Sequence, residues 1–448
     1  MKLTTFANLD VPAGRLHRWT TTASGVAAAH ATGPSENERF HLDAVADGAS
    51  GWLAVTFDID SSTVDLVAVQ RAFETVLDHH EVLRAHFVTD DDGAVRRVLH
   101  APGGLTVSAA QTVEHVDAAA AKELISSTIV EGCTASAPAS HVLAALEHAD
   151  TTTIVCAFDH CYVDAHSLAV IAEDFVDAYH GKDLRPAGSF LDHQAAEVDG
   201  EMSDSDARIV GWNDFLTATD WHVPEFPIDL GVAEGEFAPA RIYVDTVLSA
   251  ADAATFSASA AERGIRFYPA LLACLAMATR DLGGPEKLPL ILPVHTRRTD
   301  TWSRSVGWFV ANAPLVLDAS NDLVSAMRSA TDALSAALPL AEVDLTTVYG
   351  TFGHRLRKAR HDVFMVSYLD YRRFDGLPTM NVHHVSSDGR ADTVQLWFWR
   401  DENGVHLRTR FPHTEIAATV VHTLVDDLVR IASEQLRHGH ASLLTSPA

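Results

Sequence analysis

One segment of the chain, residues 154–179, constrains the fold more than any other. It opens with five apolar residues, which is a length typical of a strand buried on both faces. Polar residues follow, and apolar residues then recur at helical spacing as far as Tyr179, which predicts an amphipathic helix. Either Asp164 or Ser167 could cap its first turn. The sequence therefore predicts a buried strand, a polar loop and a helix, a layout that holds the loop rigidly at the surface.

His160 lies in this loop, directly after the predicted strand. A neutral imidazole can remove a proton from an alcohol or an amine at neutral pH, because its ordinary pKa is ~6.5. Asp164, four positions later, could fix the loop by pairing with a buried cation. The preceding strand and the following helix distinguish His160, because the same H-x-x-x-D spacing recurs among the 25 histidines at His86/Asp90, His384/Asp388 and His422/Asp426.

The segment FDHCYVDAHS resembles the HHxxxDG signature of the chloramphenicol-acetyltransferase-like superfamily. That superfamily includes peptide-synthetase condensation domains and the polyketide-associated (Pap) acyltransferases. The second histidine of the signature corresponds to His160 and its aspartate to Asp164. The chain has Asp159 in place of the first histidine and Ala165 in place of the glycine. These two departures leave open a catalytically inactive binding or recruiting module of the same fold.

The first part of the chain also follows the order of the Pap branch, through PAGRLHRWT, PSENERFHLD and a segment that ends in LRAHF. Alternating polarity predicts a half-buried strand at Trp52–Ile59, and helical spacing predicts a helix within 64–80. The resemblance implies that the arginine of the last segment, Arg84, pairs with the signature aspartate, Asp164. The alternative is that Arg84 only packs at the edge of its strand.

Two later blocks resemble the same branch. Residues 288–318 are predicted to form strand, polar loop and strand, and they are similar to a VGxFVNxxPL pattern. The strand at 363–369 is similar to a SYLDxR segment. Glycine allows close backbone approach and asparagine can donate to an oxyanion, whereas Trp308 fits a packing role equally well. The resemblance implies these candidates for contact with substrate or an oxyanion: Gly307, Trp308, Asn312, Ser367, Tyr368 and Arg372.

A basic cluster precedes the second of these blocks, in a chain whose formal net charge is −27. Such a run is usually a solvated helix face. The phosphates of an acyl donor, or an acidic carrier protein, would however need a local positive patch against this overall charge. The candidates for contact with donor phosphates are Arg355, Arg357, Lys358 and Arg360.

The segment VHHVSSDG contains the superfamily signature literally, at His383, His384, Asp388 and Gly389. Its surroundings differ from those of His160. No buried strand precedes it, and the residues after it, 393–400, are predicted to form a strand rather than a helix. We therefore predict an exposed loop at 382–390 and assign the general base to His160.

The charge argues against a nucleic-acid partner and against a polybasic membrane anchor. No apolar run is long enough to span a bilayer, and the N-terminus has no apolar signal core. The expected location is the cytoplasm, with attachment to a membrane surface left open. The four cysteines have neither metal-site nor disulfide spacing, so no metal is expected and Cys161 is predicted to be a pocket or core thiol.

The resemblance implies an α/β fold, an α+β sandwich built as a V-shaped pseudo-dimer of two chloramphenicol-acetyltransferase-like lobes. Each lobe would contain a mostly antiparallel or mixed sheet flanked by helices, and 448 residues suffice for both. The sequence places the N-terminal lobe, with the H-x-x-x-D motif, at 1–182. An irregular connector at 183–239 and a C-terminal lobe at 240–448 follow.

The resemblance also implies a function. We expect a monomeric O-acyltransferase that moves a fatty or polyketide acyl group from a thioester to a hydroxyl of a sugar or long-chain lipid alcohol. The donor would be acyl-CoA, or an acyl group on the phosphopantetheine arm of a carrier protein or polyketide synthase. This donor would be a substrate, and no permanently bound cofactor is expected. The alternative within the superfamily is a free-standing condensation enzyme that forms an amide or ester in a nonribosomal peptide pathway.

Overall fold

The computed structural model describes residues 1–46, 48, 51–60, 63–197, 203, 205–387 and 389–443. The contacts within the chain divide it into two compact units. Unit 1 consists of Met1–Gly200, His295–Val310 and Phe374–Ser387. Unit 2 consists of Glu201–Val294, Ala311–Arg373 and Asp388–Ala448.

The strands of the described residues differ in length, from two residues in β17 to twelve in β12. In chain order they are β1 (Lys2–Thr5), β2 (Gly14–Trp19), β3 (Thr21–Ala23), β4 (Ala27–Ala29), β5 (Trp52–Ile59), β6 (Ala85–Thr89), β7 (Val95–His100), β8 (Leu105–Val107), β9 (Gln111–Val116), β10 (Val142–His148), β11 (Thr151–Asp159), β12 (Ala238–Ser249), β13 (Lys287–His295), β14 (Val310–Asp318), β15 (Met365–Asp370), β16 (His383–Ser386), β17 (Arg390–Ala391), β18 (Gln395–Asp401) and β19 (Gly404–Pro412).

The helices begin, in most cases, at an Asp or Ser whose side chain accepts the free N–H groups of the first turn. In chain order they are α1 (Glu36–Ala46), α2 (Leu66–His79), α3 (Ala118–Gly132), α4 (Ala165–Tyr179), α5 (Phe190–Glu197), α6 (Ala207–Ala218), α7 (Ala250–Ala261), α8 (Phe267–Asp281), α9 (Leu323–Ala337), α10 (Leu345–Phe352) and α11 (Glu415–Leu443).

Unit 1 contains a mixed sheet with the strand order β1-β16-β5-β11-β10-β2-β9. β11 lies in its middle, paired antiparallel with β5 and β10, which confirms the prediction of a doubly buried strand before His160. Apolar side chains of α3, including Ile125, pack on one face of the sheet. Phe57 of β5 contacts Phe175 of α4 at a ring distance of 5.3 Å, so α4 is held against the sheet.

The prediction of an exposed loop at 382–390 is wrong. Residues 383–386 form β16, which pairs parallel with β1 and antiparallel with β5. Val385 is fully buried in the unit 1 core. Four residues with two histidines carry too little pattern to predict a strand, and only pairing with distant partners stabilises this one. Asp388, the aspartate of the literal signature, lies outside the described residues.

Unit 2 contains a second mixed sheet, with the order β14-β13-β15-β18-β19-β12-β17. β13, β15 and β18 run parallel, and β18, β19, β12 and β17 pair antiparallel. Its main core combines the sheet with α7, α8, α9 and α11. In this core α8 is an almost wholly buried helix. A smaller core forms around α6 and α10.

The two compact units have boundaries that differ from the expected 1–182, 183–239 and 240–448. The expected connector contains two helices, of which α5 belongs to unit 1 and α6 to unit 2. Gly200, also in that connector, lies outside the described residues. Unit 1 takes two segments from the second half of the chain because β16 completes its sheet and 295–310 packs around the H-x-x-x-D motif.

Candidate active site

His160 is placed by the end of the central strand β11. The strand passes into a short 3-10 helix, His160–Tyr162, and then into α4. The backbone N–H of His160 donates to the carbonyl oxygen of Gly51 at 2.7 Å. Its neighbour Cys161 is fully buried, as predicted for a core thiol, and burial raises the thiol's pKa well above its usual value. A thiol held in this form is not an activated nucleophile.

The imidazole of His160 is half-buried and stacked on an indole ring. Its centroid lies 3.9 Å from that of Trp308, with an interplanar angle of 19°. Its Nδ1 is buried and has no hydrogen-bond partner in another described residue. Burial, followed by the neighbouring His41, lowers the pKa of His160 to about 4. The ring is therefore uncharged at neutral pH.

Asp164 is a buried carboxylate surrounded by donors. It caps α4 by accepting the N–H of Ser167 at 2.8 Å, and it accepts the N–H of Phe309 at 3.1 Å. Two nitrogens of Arg297 donate to it at 2.6 and 3.0 Å, a bidentate pair. Burial acts to raise the pKa of Asp164, but the Arg297 guanidinium and these hydrogen bonds hold it at about 2. The carboxylate is thus a charged anchor for the loop.

The pairing of Arg84 with Asp164 is a wrong prediction. Arg84 donates to three backbone carbonyl oxygens, those of Leu77, Asp78 and His100. Two of these carbonyls belong to the last turn of α2, where unpaired carbonyls attract a cation. The cation required by Asp164 is Arg297 from the loop after β13, a residue that the sequence showed only as one of two adjacent arginines in HTRRTD.

The loop that carries Arg297 also carries Gly307 and Trp308. The Ser167 hydroxyl accepts from Arg297 at 2.9 Å and from the Gly307 N–H at 3.1 Å. A Cβ on Gly307 would lie 2.4 Å from the Phe190 ring, so only glycine fits here. The structure therefore brings His160, Asp164, Gly307 and Trp308 together, all within unit 1.

Four other candidates lie in unit 2. Asn312, on β14, is half-buried. On β15, the Ser367 hydroxyl is buried without a hydrogen-bond partner in the described residues, and Tyr368 stacks on Tyr268 at 5.0 Å. Arg372 forms a bidentate pair with Asp370 at 2.8 and 2.6 Å. Their contact with substrate stays a prediction.

The basic cluster at 355–360 follows α10 and is not a helix face. Arg355 lies over the ring of Trp221, with its guanidinium carbon 3.3 Å from the centroid. Arg357 pairs with Asp220 at 3.1 Å. Arg360 donates to the carbonyls of Val232 and Ala233. Lys358 is exposed. A role with donor phosphates stays a prediction for all four.

Two groups of side chains in the described part of the chain bring three potential metal ligands within 4.8 Å of one another: His41, Asp159 and Cys161, and His79, His80 and Asp174. In each group, two of the potential ligands are already hydrogen-bonded to each other. His41 Nε2 lies 3.0 Å from Asp159 Oδ1, and His80 Nε2 lies 3.0 Å from Asp174 Oδ2. Neither group is assigned as a metal site.

Sequence reasoning missed His41. It lies on α1, within the PSENERFHLD segment, and its ring centroid is 5.8 Å from that of His160. No local pattern marks it, because its proximity to His160 depends on the packing of α1 against the end of β11.

No helix in the described residues is both long and apolar enough to cross a membrane.

Comparison with curated proteins finds mycobacterial acyltransferases. The chain is 26% identical over 286 residues to acyltransferase PapA3 of Mycobacterium tuberculosis, covering 60% of each. It is 31% identical over 144 residues to trehalose-2-sulfate acyltransferase PapA2 of Mycobacterium bovis, covering 32% of this chain and 30% of the relative. The matches thus span 60% or less of the length of these relatives.

Solved structures share the fold. A structure of PapA2 acyl transferase superposes with a TM-score of 0.86 at 22% identity, covering 97% of this chain and 100% of that one. The epimerization domain from the third module of tyrocidine synthetase B gives 0.71 at 17% identity, covering 94% and 100%. The family model described as Condensation domain matches residues 41–373. The fold is therefore the mixed α/β fold expected, and the chain belongs to the condensation-domain family.

Proposed function

We propose that this protein transfers an acyl group from a thioester to a hydroxyl, with His160 as the general base. The imidazole takes the hydroxyl proton as the oxygen attacks the thioester carbonyl. Collapse of the tetrahedral intermediate breaks the carbon–sulfur bond, and the proton passes from the imidazolium to the departing thiolate. No covalent bond to the enzyme forms. General-base catalysis of this kind contributes roughly 10²–10⁴-fold to the rate.

The observation that carries the proposal is the uncharged His160 ring at the end of a central strand. With a pKa of about 4 it is fully in the accepting form at neutral pH, although its driving force for proton transfer is smaller than that of a base near neutrality. The other ring nitrogen, Nδ1, is buried. We therefore propose Nε2 as the atom that accepts the substrate proton.

Asp164 supports this chemistry without acting as the base. Its oxygens accept from Arg297, Ser167 and Phe309, so the carboxylate stays charged and holds the loop around His160. A base that must keep one orientation gains from such fixed surroundings. We propose backbone N–H groups after Asp164 as donors to the oxyanion.

The names of the relatives support a sugar acceptor. One is a trehalose-2-sulfate acyltransferase, and another is a 2'-acyl-2-O-sulfo-trehalose (hydroxy)phthioceranyltransferase. We propose a sugar or lipid-alcohol hydroxyl as acceptor, and acyl-CoA or an acyl carrier protein as donor. Of the four candidates for donor phosphates, Lys358 is the best one. Arg355 already lies over Trp221, and Arg357 and Arg360 pair within unit 2.

The second candidate is a condensation enzyme that acylates an amine, favoured by the description of the matching family. Both candidates release a free thiol, so the test combines thiol detection with product mass. Acyl-CoA donors of several chain lengths are offered with trehalose-like sugars, long-chain diols and amino acids. Ester formation with a sugar or diol supports the proposal, and amide formation alone supports the second candidate. No thiol release with any pair, from either CoA or carrier-protein donors, indicates a binding module.

A further inference from the structure

Asp159 stands where the superfamily signature has its first histidine, and its carboxylate has three donors. The N–H of Cys161 donates to Oδ1 at 2.9 Å, and the N–H of Ala135 donates to Oδ2 at 3.1 Å. Nε2 of His41 lies 3.0 Å from Oδ1. The side chains of Asp159 and His41 are only 3% and 10% exposed. The signature has an imidazole at position 159, and this chain has an aspartate there. The imidazole of His41, on α1, lies beside that aspartate instead.

The His41 ring contacts both rings of the candidate site. Its centroid lies 5.8 Å from that of His160 and 5.7 Å from that of Trp308. It meets Trp308 at an interplanar angle of 77°, whereas Trp308 and His160 are stacked. The Trp308 ring therefore contacts both His41 and His160. A movement of His41 would remove one of the contacts that fix the ring on which His160 is stacked.

Two features fix the position of His41. α1 is anchored by Glu38, whose carboxylate pairs with Arg97 at 2.7 Å, both side chains being fully buried. Glu38 and His41 are three residues apart, so they share a helix face. A Cβ at Gly51 would lie 2.7 Å from Cε1 and Nε2 of His41, and the carbonyl of that glycine accepts the N–H of His160. Close packing at Gly51 therefore links the positions of His41 and His160.

We propose that His41, oriented by Asp159, is a positioning residue for His160. It contacts the Trp308 ring on which the base is stacked, and it opposes protonation of the base. The inference rests on the proposed acyl transfer by His160, but it concerns the state of the His160 ring and can be measured without a substrate.

The charged groups around His160 give the direction of the expected change. Asp159, at the end of β11, and Asp164, at the start of α4, favour the protonated ring. Arg297 pairs with Asp164. Burial and His41, from α1, favour the uncharged ring. Replacing His41 removes a group that opposes protonation of His160, whereas Asp159 and Asp164 remain, so the pKa of His160 should rise.

Two variants test the proposal. His41→Gln keeps a donor for Asp159, and His41→Phe keeps a ring against Trp308. NMR titration of ¹³C-labelled histidines reports the His160 ring, whose signal is identified by its loss in His160→Ala. We expect a raised pKa of His160 in both variants. In His41→Gln, which lacks the ring against Trp308, we also expect a loss of kcat of ~10-fold or more, with KM less affected. The control, His180→Gln, changes an exposed histidine at the end of α4 and should alter neither.

An unchanged His160 titration and an unchanged kcat in a folded variant would overturn the proposal. Circular dichroism establishes folding, and either variant suffices if the other fails to fold. A raised pKa in a protein that transfers no acyl group to any acceptor would support the role of His41 and contradict the proposed function. The two hypotheses thus fail in different measurements.

Discussion

The buried charge of Asp164 is balanced by the guanidinium of Arg297, which ties the loop after β13 to the start of α4. A buried carboxylate needs a cation and several donors, so the existence of a partner could be predicted. The identity of that partner could not, because Arg84, Arg297 and Arg298 are all compatible with the sequence. The choice depends on the path of the loop after β13, which turns Arg297 inward and leaves Arg298 exposed.

This difference between adjacent arginines predicts opposite outcomes for two variants. Arg297→Ala leaves the Asp164 charge buried and unpaired, so we expect a loss of ~3–5 kcal/mol in the free energy of unfolding. Arg298→Ala should change it by no more than ~0.5 kcal/mol. Urea unfolding at neutral pH measures both. Equal small effects would show that Arg297 is not the partner of a buried charge.

The low pKa of His160 predicts the pH dependence of catalysis. The base is active when unprotonated, so kcat/KM should rise with pH through about 4 and stay level across neutral pH. An imidazole in an ordinary environment would instead give an inflection near ~6.5. A pH–rate profile with the best acyl donor decides between these values, provided that circular dichroism confirms folding at each pH.

The elements were predictable where local pattern decided them. The strand–loop–helix around His160 and the hairpin β6–β7 follow from alternation, turn residues and capping. β16 and α5 were missed, because β16 is short and polar and α5 lies in an irregular polar stretch. Such elements form through pairing or packing with distant segments, a contribution that no window of sequence contains.

His383 tests the corrected assignment of β16. In a strand beside β5 it is largely buried, and burial lowers its pKa to about 4. Its folded pKa then lies below the unfolded value, so it destabilises the fold as pH falls from ~6.5 towards its folded pKa. His383→Gln should therefore lose less stability than the wild type between neutral pH and pH ~5. Identical pH dependence in urea unfolding would favour an exposed loop.

At the scale of the whole molecule, unit 1 is assembled from three separate stretches of chain. The sequence suggested that the first lobe ends at residue 182, because local pattern ends there. The structure shows that β16 and the Arg297 loop complete this unit, and both come from the second half of the chain. The boundary of a folding unit depends on such long-range contacts, which the sequence does not display.

A fragment of residues 1–200 should therefore fail to fold on its own. It lacks the strand between β1 and β5, and it lacks the cation that balances Asp164. We expect no cooperative urea transition by circular dichroism, whereas the full chain should show one. A cooperative transition of the fragment would mean that β16 and Arg297 are dispensable for this unit.

The central claim is that His160, and not the literal signature at 383–389, provides the base. The most direct measurement is the rate of thiol release from acyl-CoA, with an acceptor hydroxyl, by His160→Ala and His384→Ala side by side. We predict a loss of ~10²-fold or more for the first variant and a near wild-type rate for the second. A folded His160→Ala protein with the wild-type rate, or an inactive His384→Ala protein, would contradict this account.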